Sequence, residues 1–196
     1  MNRGFPAIAY EQRRFLGVAL DPPDFKPGSW IGAGKAIWDA RRGQYVLTAR
    51  PRKAKGGIRG YAANVYVSAN GIDFAKRTGI SKEEVARLCG FKIHSIEGTQ
   101  LLRNSANGQW HFYLSVDTGD EFVWGGIKWE TVLLRAESLE GPWKSDGKVI
   151  ENGKDYDAQQ ARDGSIDLVD GTWLCIYKAR TSCDGSGPPS PSAPMA

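Results

Sequence analysis

Apolar residues in this chain come as short runs and alternations, and none extends to the roughly 20 residues of a membrane span. Tyr45-Val46-Leu47-Thr48-Ala49, Trp110-His111-Phe112-Tyr113-Leu114 and Trp173-Leu174-Cys175-Ile176-Tyr177 are rich in β-branched and aromatic residues, and each predicts a strand. Each opens on Gly-x-aromatic, at Gly43, Gly108 and Gly171, 65 and 63 residues apart. A second signature, Ser68-Ala69-Asn70-Gly71-Ile72-Asp73-Phe74, is answered 70 residues later by Ser138-Leu139-Glu140-Gly141-Pro142-Trp143. Two signatures on nearly one period mark an internal repeat. A unit of this length, rich in strand formers and punctuated by Gly turns, predicts one four-stranded sheet, and such sheets stack radially as propeller blades.

The expected fold is therefore all-β, a β-propeller of about two and a half blades. Residues 1–28 read as a lead-in with one candidate strand, Phe15–Leu20, ended by Asp21-Pro22-Pro23-Asp24. The partial propeller spans 29–180, with blades near 30–80, 93–152 and 156–180. Strands are predicted near Lys35–Trp38, Gln44–Arg50 and Tyr61–Ser68, where Tyr61, Val65 and Val67 share one face by period two. Between the first two blades, Ser81-Lys82-Glu83-Glu84 predicts a capping box opening a short helix that Gly90 closes. The third blade reaches only its second strand, and the Gly/Ser/Pro-rich residues 181–196 hold too few apolar side chains to offset the entropy of ordering.

Composition narrows the class. The 196 residues are 41% hydrophobic and 24% charged, which is the balance of a soluble globular protein. A five-bladed ring at this period needs roughly 300 residues, so the chain reads as part of a propeller or an open one. An open propeller leaves room for oligomerisation. The first residues lack a long apolar core, so no secretory signal is read and a cytoplasmic location is expected. Three cysteines without CxxC spacing, and two distant histidines, His94 and His111, support neither a disulfide framework nor a metal site. Cys175, mid-strand, reads as a small core residue, and Trp110 and Trp173 of the repeat read as blade core. The net charge of +4 permits an anionic partner without demanding one.

Acids placed just before innermost blade strands converge on a propeller axis. Asp163 lies eight residues before Gly171 and Glu97 eleven before Gly108, with the longer turn Asn104–Asn107 absorbing most of the difference. Two carboxylates facing one cavity suit glycoside chemistry, because one keeps a proton for the leaving oxygen while the other stays ionised. The plainer alternative is that Asp163 bonds turn amides and Glu97 pairs with a neighbour such as Lys92 or Arg162.

At this point the chain resembles a family. Gly32-Ala33-Gly34-Lys35-Ala36, Arg59-Gly60-Tyr61, Ser68 to Phe74, Ser95-Ile96-Glu97-Gly98, Ala136 to Trp143 and Ala161-Arg162-Asp163 look like the five-bladed β-propeller glycosidases, which include arabinanases, xylosidases, invertase-like enzymes and mannoside phosphorylases. The resemblance spans about residues 30–179. It implies an enzyme that cleaves or transfers glycosyl groups, with Glu97 as general acid and Asp163 as a second site carboxylate. Lys35 stands where the family's first blade has an Asp base, and Gly164 where a Pro follows the third-blade Asp. The alternative is a non-catalytic carbohydrate-binding or scaffold propeller.

No cofactor is expected. Gly34-Lys35 lacks the Gly at 29 and the Ser or Thr at 36 of a phosphate loop, so Lys35 is read as pairing with a site carboxylate or an anionic sugar, or as structural. The cation-rich stretch Arg50–Arg59 reads first as a solvated hairpin loop, with an acidic glycan or nucleic acid as alternatives; the absence of a larger basic face argues against nucleic acid. Trp30 and Trp124, in Gly-flanked segments, are candidates for stacking on a sugar ring. Arg59 and Arg162 complete the expected substrate-binding set.

Overall fold

The computed structural model describes residues 14–53, 59–121 and 126–181. Strands β1 (Trp30–Asp39), β2 (Gln44–Arg52), β3 (Ala62–Ser68) and β4 (Ala75–Ser81) form one antiparallel meander in that order. Helix α1 (Lys82–Cys89) follows, and a second meander runs through β5 (Ser95–Arg103), β6 (Trp110–Asp117), β7 (Trp129–Ala136) and β8 (Lys144–Ile150). Strands β9 (Gln160–Val169) and β10 (Thr172–Arg180) are an antiparallel pair joined to β7 at a single parallel bridge, Trp129 to Gln160. The described residues thus form two four-stranded blades and the first two strands of a third. Strand β5 packs against both β1 and β9, which makes these three the innermost strands.

Side-chain alternation explains the order of the layers. Trp110, Phe112, Leu114 and Val116 of β6, with Val132 and Leu134 of β7, pack on Val46, Ala63, Val65 and Ile80 of the first blade. The opposite face of the second blade offers Tyr113 and Leu133 to Ile166 of β9. With both faces covered, β6 is buried along its whole length.

The local chemistry at the helix matches its sequence. Ser81 Oγ accepts from the Glu84 amide at 3.1 Å, and Gly90, at φ 78°, closes the last turn by donating to the Ala86 carbonyl. In the Ser68–Phe74 turn the Asn70 side chain accepts from the amides of Ile72 and Asp73 and donates to the Asp73 carboxylate.

Three expectations change. Phe15–Leu20 is not a strand; Phe15, Leu16 and Val18 are exposed and find neither a ladder partner nor a core among the described residues. Trp173 leaves 41% of its surface exposed, because β10 has no third strand beside it among the described residues, and its ring stacks on His111 at 5.4 Å. Cys175 on the same strand is exposed rather than core. Trp110, under the first blade, is fully enclosed. Residues 182–196 of the expected tail lie outside the described residues.

Candidate functional site

Each innermost strand breaks register once, at the same place. The β1–β2 ladder shifts between Ala33 and Ala36, the β5–β6 ladder between Ile96 and Thr99, and the β9–β10 ladder between Ile176 and Lys178, opposite Arg162–Ser165. The inserted pairs are Gly34-Lys35, Glu97-Gly98 and Asp163-Gly164. Bulges of this kind re-aim side chains and recur beside active sites. Glu97 and Asp163 are therefore equivalent positions, lying inside the innermost strands rather than just before them. The same register makes Gly34, not Lys35, their first-blade counterpart, and sets Lys35 beside Gly98 and Gly164.

The bulges are also where neighbouring blades touch. A Cβ on Gly98 would stand 2.5 Å from Asp163 Oδ1 and 3.1 Å from its Cα; one on Gly34 would stand 2.2 Å from the Thr99 carbonyl. Only glycine admits these approaches. Hydroxyls opposite the bulges tie each blade to the next: Thr99 Oγ1 donates to Thr48 Oγ1 at 3.0 Å, and the Asp163 amide donates to Ser115 Oγ at 2.8 Å. Gln100 clamps the amide and carbonyl of Ile166 at 2.7 and 2.5 Å. Held this way, Asp163 adopts φ 55°, a conformation that non-glycine residues seldom take and that clusters at functional sites.

A cavity of about 300 Å3 opens beside these bulges, lined among others by Lys35, Gln100, Tyr113, Ser115, Thr131 and Asp163. Burial pushes the Tyr113 phenol up to about 12, so it keeps its proton and can donate to a ligand oxygen. Lys35 Nζ lies 3.8 Å from Asp167 Oδ2, an exposed pair on the rim.

Glu97 is ion-paired, as the plainer alternative expected, but with Arg50 and Arg59 rather than Lys92 or Arg162. One carboxylate oxygen lies 2.5 Å from Arg50 Nη2 and the other 3.5 Å from Arg59 Nη2, while Arg59 Nη1 lies 3.6 Å from Asp117 Oδ2. Trp30 opens β1 and lies under the Arg50 guanidinium at 4.4 Å. The buried Trp129 ring is flanked by Arg59 at 5.2 Å and Arg162 at 4.6 Å. Burial lowers the Arg50 pKa from its ordinary value, and Glu97 is the first influence opposing that shift.

The expected residues divide accordingly. Glu97, Arg59, Arg162, Asp163 and Trp30 belong to one neighbourhood, with Lys35 on the cavity beside it; Trp124 lies outside the described residues. Arg50 and Arg59, expected in a solvated loop, are buried, and their job in this geometry is to grip Glu97. The alternative for Asp163 also changes: its amide binds a serine hydroxyl across the blade boundary, and its carboxylate lies 3.6 Å from Arg162 Nε. Sequence spacing missed Arg50, Asp117, Tyr113, Ser115 and Trp129. Asp117 and Trp129 carried one usable signal, a charge and a large ring at the open ends of apolar strands.

No protein-family model and no curated protein sequence matches the chain. Solved structures do. The chain is similar to Zg3597, a family 117 glycoside hydrolase of the marine bacterium Zobellia galactanivorans, at 19% identity and TM-score 0.62, over 83% of this chain and 53% of that one. It is similar to an exo-β-1,3-galactanase of Phanerochaete chrysosporium solved with galactose, at 16% identity and TM-score 0.56, over 83% and 35% of the two chains. A family 43 β-1,3-galactosidase solved with galactodeoxynojirimycin matches at 15% and TM-score 0.54, over 75% and 53%. The fold is that of the β-propeller glycoside hydrolases, and the chain spans about half the length of the first of these enzymes.

Proposed function

We propose that this chain carries a glycosidase-type site in which Glu97 donates a proton to the glycosidic oxygen and Asp163 is the second carboxylate. The observation that carries the reading is the shared bulge: two acids of neighbouring innermost strands occupy one register position, Asp163 on the wall of the cavity and Glu97 next to Gly98, which lines it. As the C–O bond breaks, the Glu97 carboxyl proton passes to the departing oxygen. Asp163 either takes a proton from the incoming water or bonds to the anomeric carbon. Tyr113 and Ser115 are positioned to bind sugar hydroxyls, and Trp30 offers a partly exposed ring for an apolar sugar face.

A second reading, carbohydrate binding without bond cleavage, is favoured by two particulars. Gly34 fills the third equivalent position, so no acid is supplied there, and both oxygens of Glu97 are engaged by guanidiniums. Incubating the full chain with β-1,3-galacto-oligosaccharides and a wider glycan panel separates the two. The glycosidase reading expects released sugar, with Glu97→Gln lowering kcat by about 10²- to 10⁴-fold. Binding with no product after long incubation selects the second reading, and full turnover by the Glu97→Gln variant overturns the role of Glu97.

A further inference from the structure

Strand β6 turns His111, Tyr113 and Ser115 to one face by period two, and that face looks onto β9 and β10. Ser115 holds the Asp163 amide, Tyr113 packs on Ile166, and His111 stacks on Trp173. Tyr113 and Ser115 line the cavity, and His111 lies one step behind, its Nδ1 3.5 Å from the Tyr113 hydroxyl oxygen. Either atom of that pair could donate, and the far side of the histidine decides which does.

His111 is 7% exposed, and its Nε2 is buried with no hydrogen-bond partner among the described residues. Its ring lies only 16° from parallel to Trp173, so a hydrogen on Nε2, which stays in the imidazole plane, cannot point at the indole face either. Burial, and after it the Arg135 charge, lowers the His111 pKa from its ordinary value, which leaves a neutral ring with one proton to place. A buried N–H without an acceptor is costly and rare, whereas a buried lone pair without a donor is tolerated more often. The proton therefore belongs on Nδ1, the ring nitrogen that has a partner.

The consequence falls on Tyr113. Its oxygen accepts from His111 while the phenol keeps its own hydrogen, and among the described residues that hydrogen has no acceptor. We infer that His111 is a positioning residue, whose Nδ1–H donates to Tyr113 Oη and thereby commits the Tyr113 O–H to an acceptor oxygen of the sugar in the cavity. The inference rests on the glycoside-site reading above and adds a specificity-determining contact to it. The opposite tautomer would make Tyr113 a donor to His111 and turn its lone pairs, rather than its hydrogen, toward the ligand. With the Nδ1–H tautomer, a sugar lacking the matching hydroxyl leaves the phenol hydrogen unpaired, and sites built on such a bond reject the deficient analogue.

His94 supplies an internal reference. The chain has two histidines, and His94 Nε2 lies 3.1 Å from the Gly119 carbonyl oxygen, which can only accept, so Nε2 carries the proton there. Long-range proton–nitrogen correlation spectra of the nitrogen-labelled full chain, recorded above the ordinary histidine pKa, are expected to show opposite tautomers, Nε2–H for His94 and Nδ1–H for His111. The His111 signals are those lost in His111→Asn. An Nε2–H proton on His111 overturns the inference.

Calorimetric titration with galactotriose reads the effect on the sugar. Tyr113→Phe is expected to weaken binding by about three- to tenfold, and His111→Phe, which keeps a ring against Trp173 but has no donor, by a similar factor. His111→Asn, whose amide can return an N–H to the Nδ1 position, is expected to stay within about twofold of the native protein. Unchanged affinity in Tyr113→Phe overturns the sugar contact, and should His111→Phe fail to melt cooperatively, Tyr113→Phe and the native spectrum decide the matter. No binding of galactotriose by the native protein also overturns the sugar contact, while the spectrum still judges the tautomer, so failure of the glycoside reading and failure of the His111 assignment are told apart.

Discussion

Gly98 and Asp163 act as a single unit, since the side chain of one stands where a Cβ of the other would fall. The conflict at Gly98→Ala includes the Asp163 backbone Cα at 3.1 Å, not only a rotatable carboxylate, so β9 itself must shift. Displacements near 1 Å can cost about 10² in rate. Gly98→Ala is thus expected to lower kcat on the best glycoside by about that factor while the protein still melts cooperatively; unchanged kcat would mean Asp163 is not held at a working distance. Glu130 makes a separate case in the second blade. It is almost fully buried, and although burial alone would raise its pKa, hydrogen bonds from Lys148 at 2.8 Å and Thr118 at 2.6 Å outweigh this and lower it below the ordinary 4.5. Its stabilising contribution is therefore complete above that ordinary value and is lost as pH falls through the lower folded value. Denaturant melts across the acid range should show the loss in the native protein and a flatter acid limb in Glu130→Gln. An unaltered acid limb would assign the effect elsewhere.

Among the elements, second strands were the easiest to read and outer strands the hardest. The Gly-x-aromatic repeat identifies β2, β6 and β10 because these strands carry the apolar side chains of each blade. Strands β4, Ala-Lys-Arg-Thr-Gly-Ile-Ser, and β8, Lys-Ser-Asp-Gly-Lys-Val-Ile, are polar outer strands with little to bury, so periodicity has almost nothing to register. Helix α1 was legible from its caps, and its marginal length makes those caps matter: Ser81→Ala should cost about 1 kcal/mol in a denaturant melt, and a change near zero would mean the Glu84 amide finds another acceptor. The site was half legible. Spacing singled out Glu97 and Asp163, but the hairpin after the innermost strand differs between blades, residues 40–43 between Asp39 and Gln44 against 170–171 between Val169 and Thr172, so counting back from Gly43 reached Lys35 where the ladder puts Gly34. Arg50 escaped for a different reason, since a basic run looks alike whether its first member sits in a loop or inside a buried strand.

For the molecule as a whole, burial is uneven. The second blade is covered on both faces and holds most of the core, whereas Val169, Leu174 and Ile176 of the β9–β10 pair remain exposed. Amide exchange should follow that gradient, slowest in β6 and β7 and fastest in β10, and a β10 as protected as β6 would contradict it. The candidate site straddles the boundary: Glu97 belongs to the well-packed blade and Asp163 to the thinly covered one, joined by Gly98, Ser115 and Gln100. The central claim is that these two carboxylates serve one reaction at one place. Steady-state turnover of the best glycoside by Glu97→Gln, Asp163→Asn and the double variant measures this directly. Shared function predicts that the double variant loses little more than the worse single variant, because groups acting as a unit are strongly non-additive. Losses that multiply would contradict it, for they would mean two carboxylates working independently.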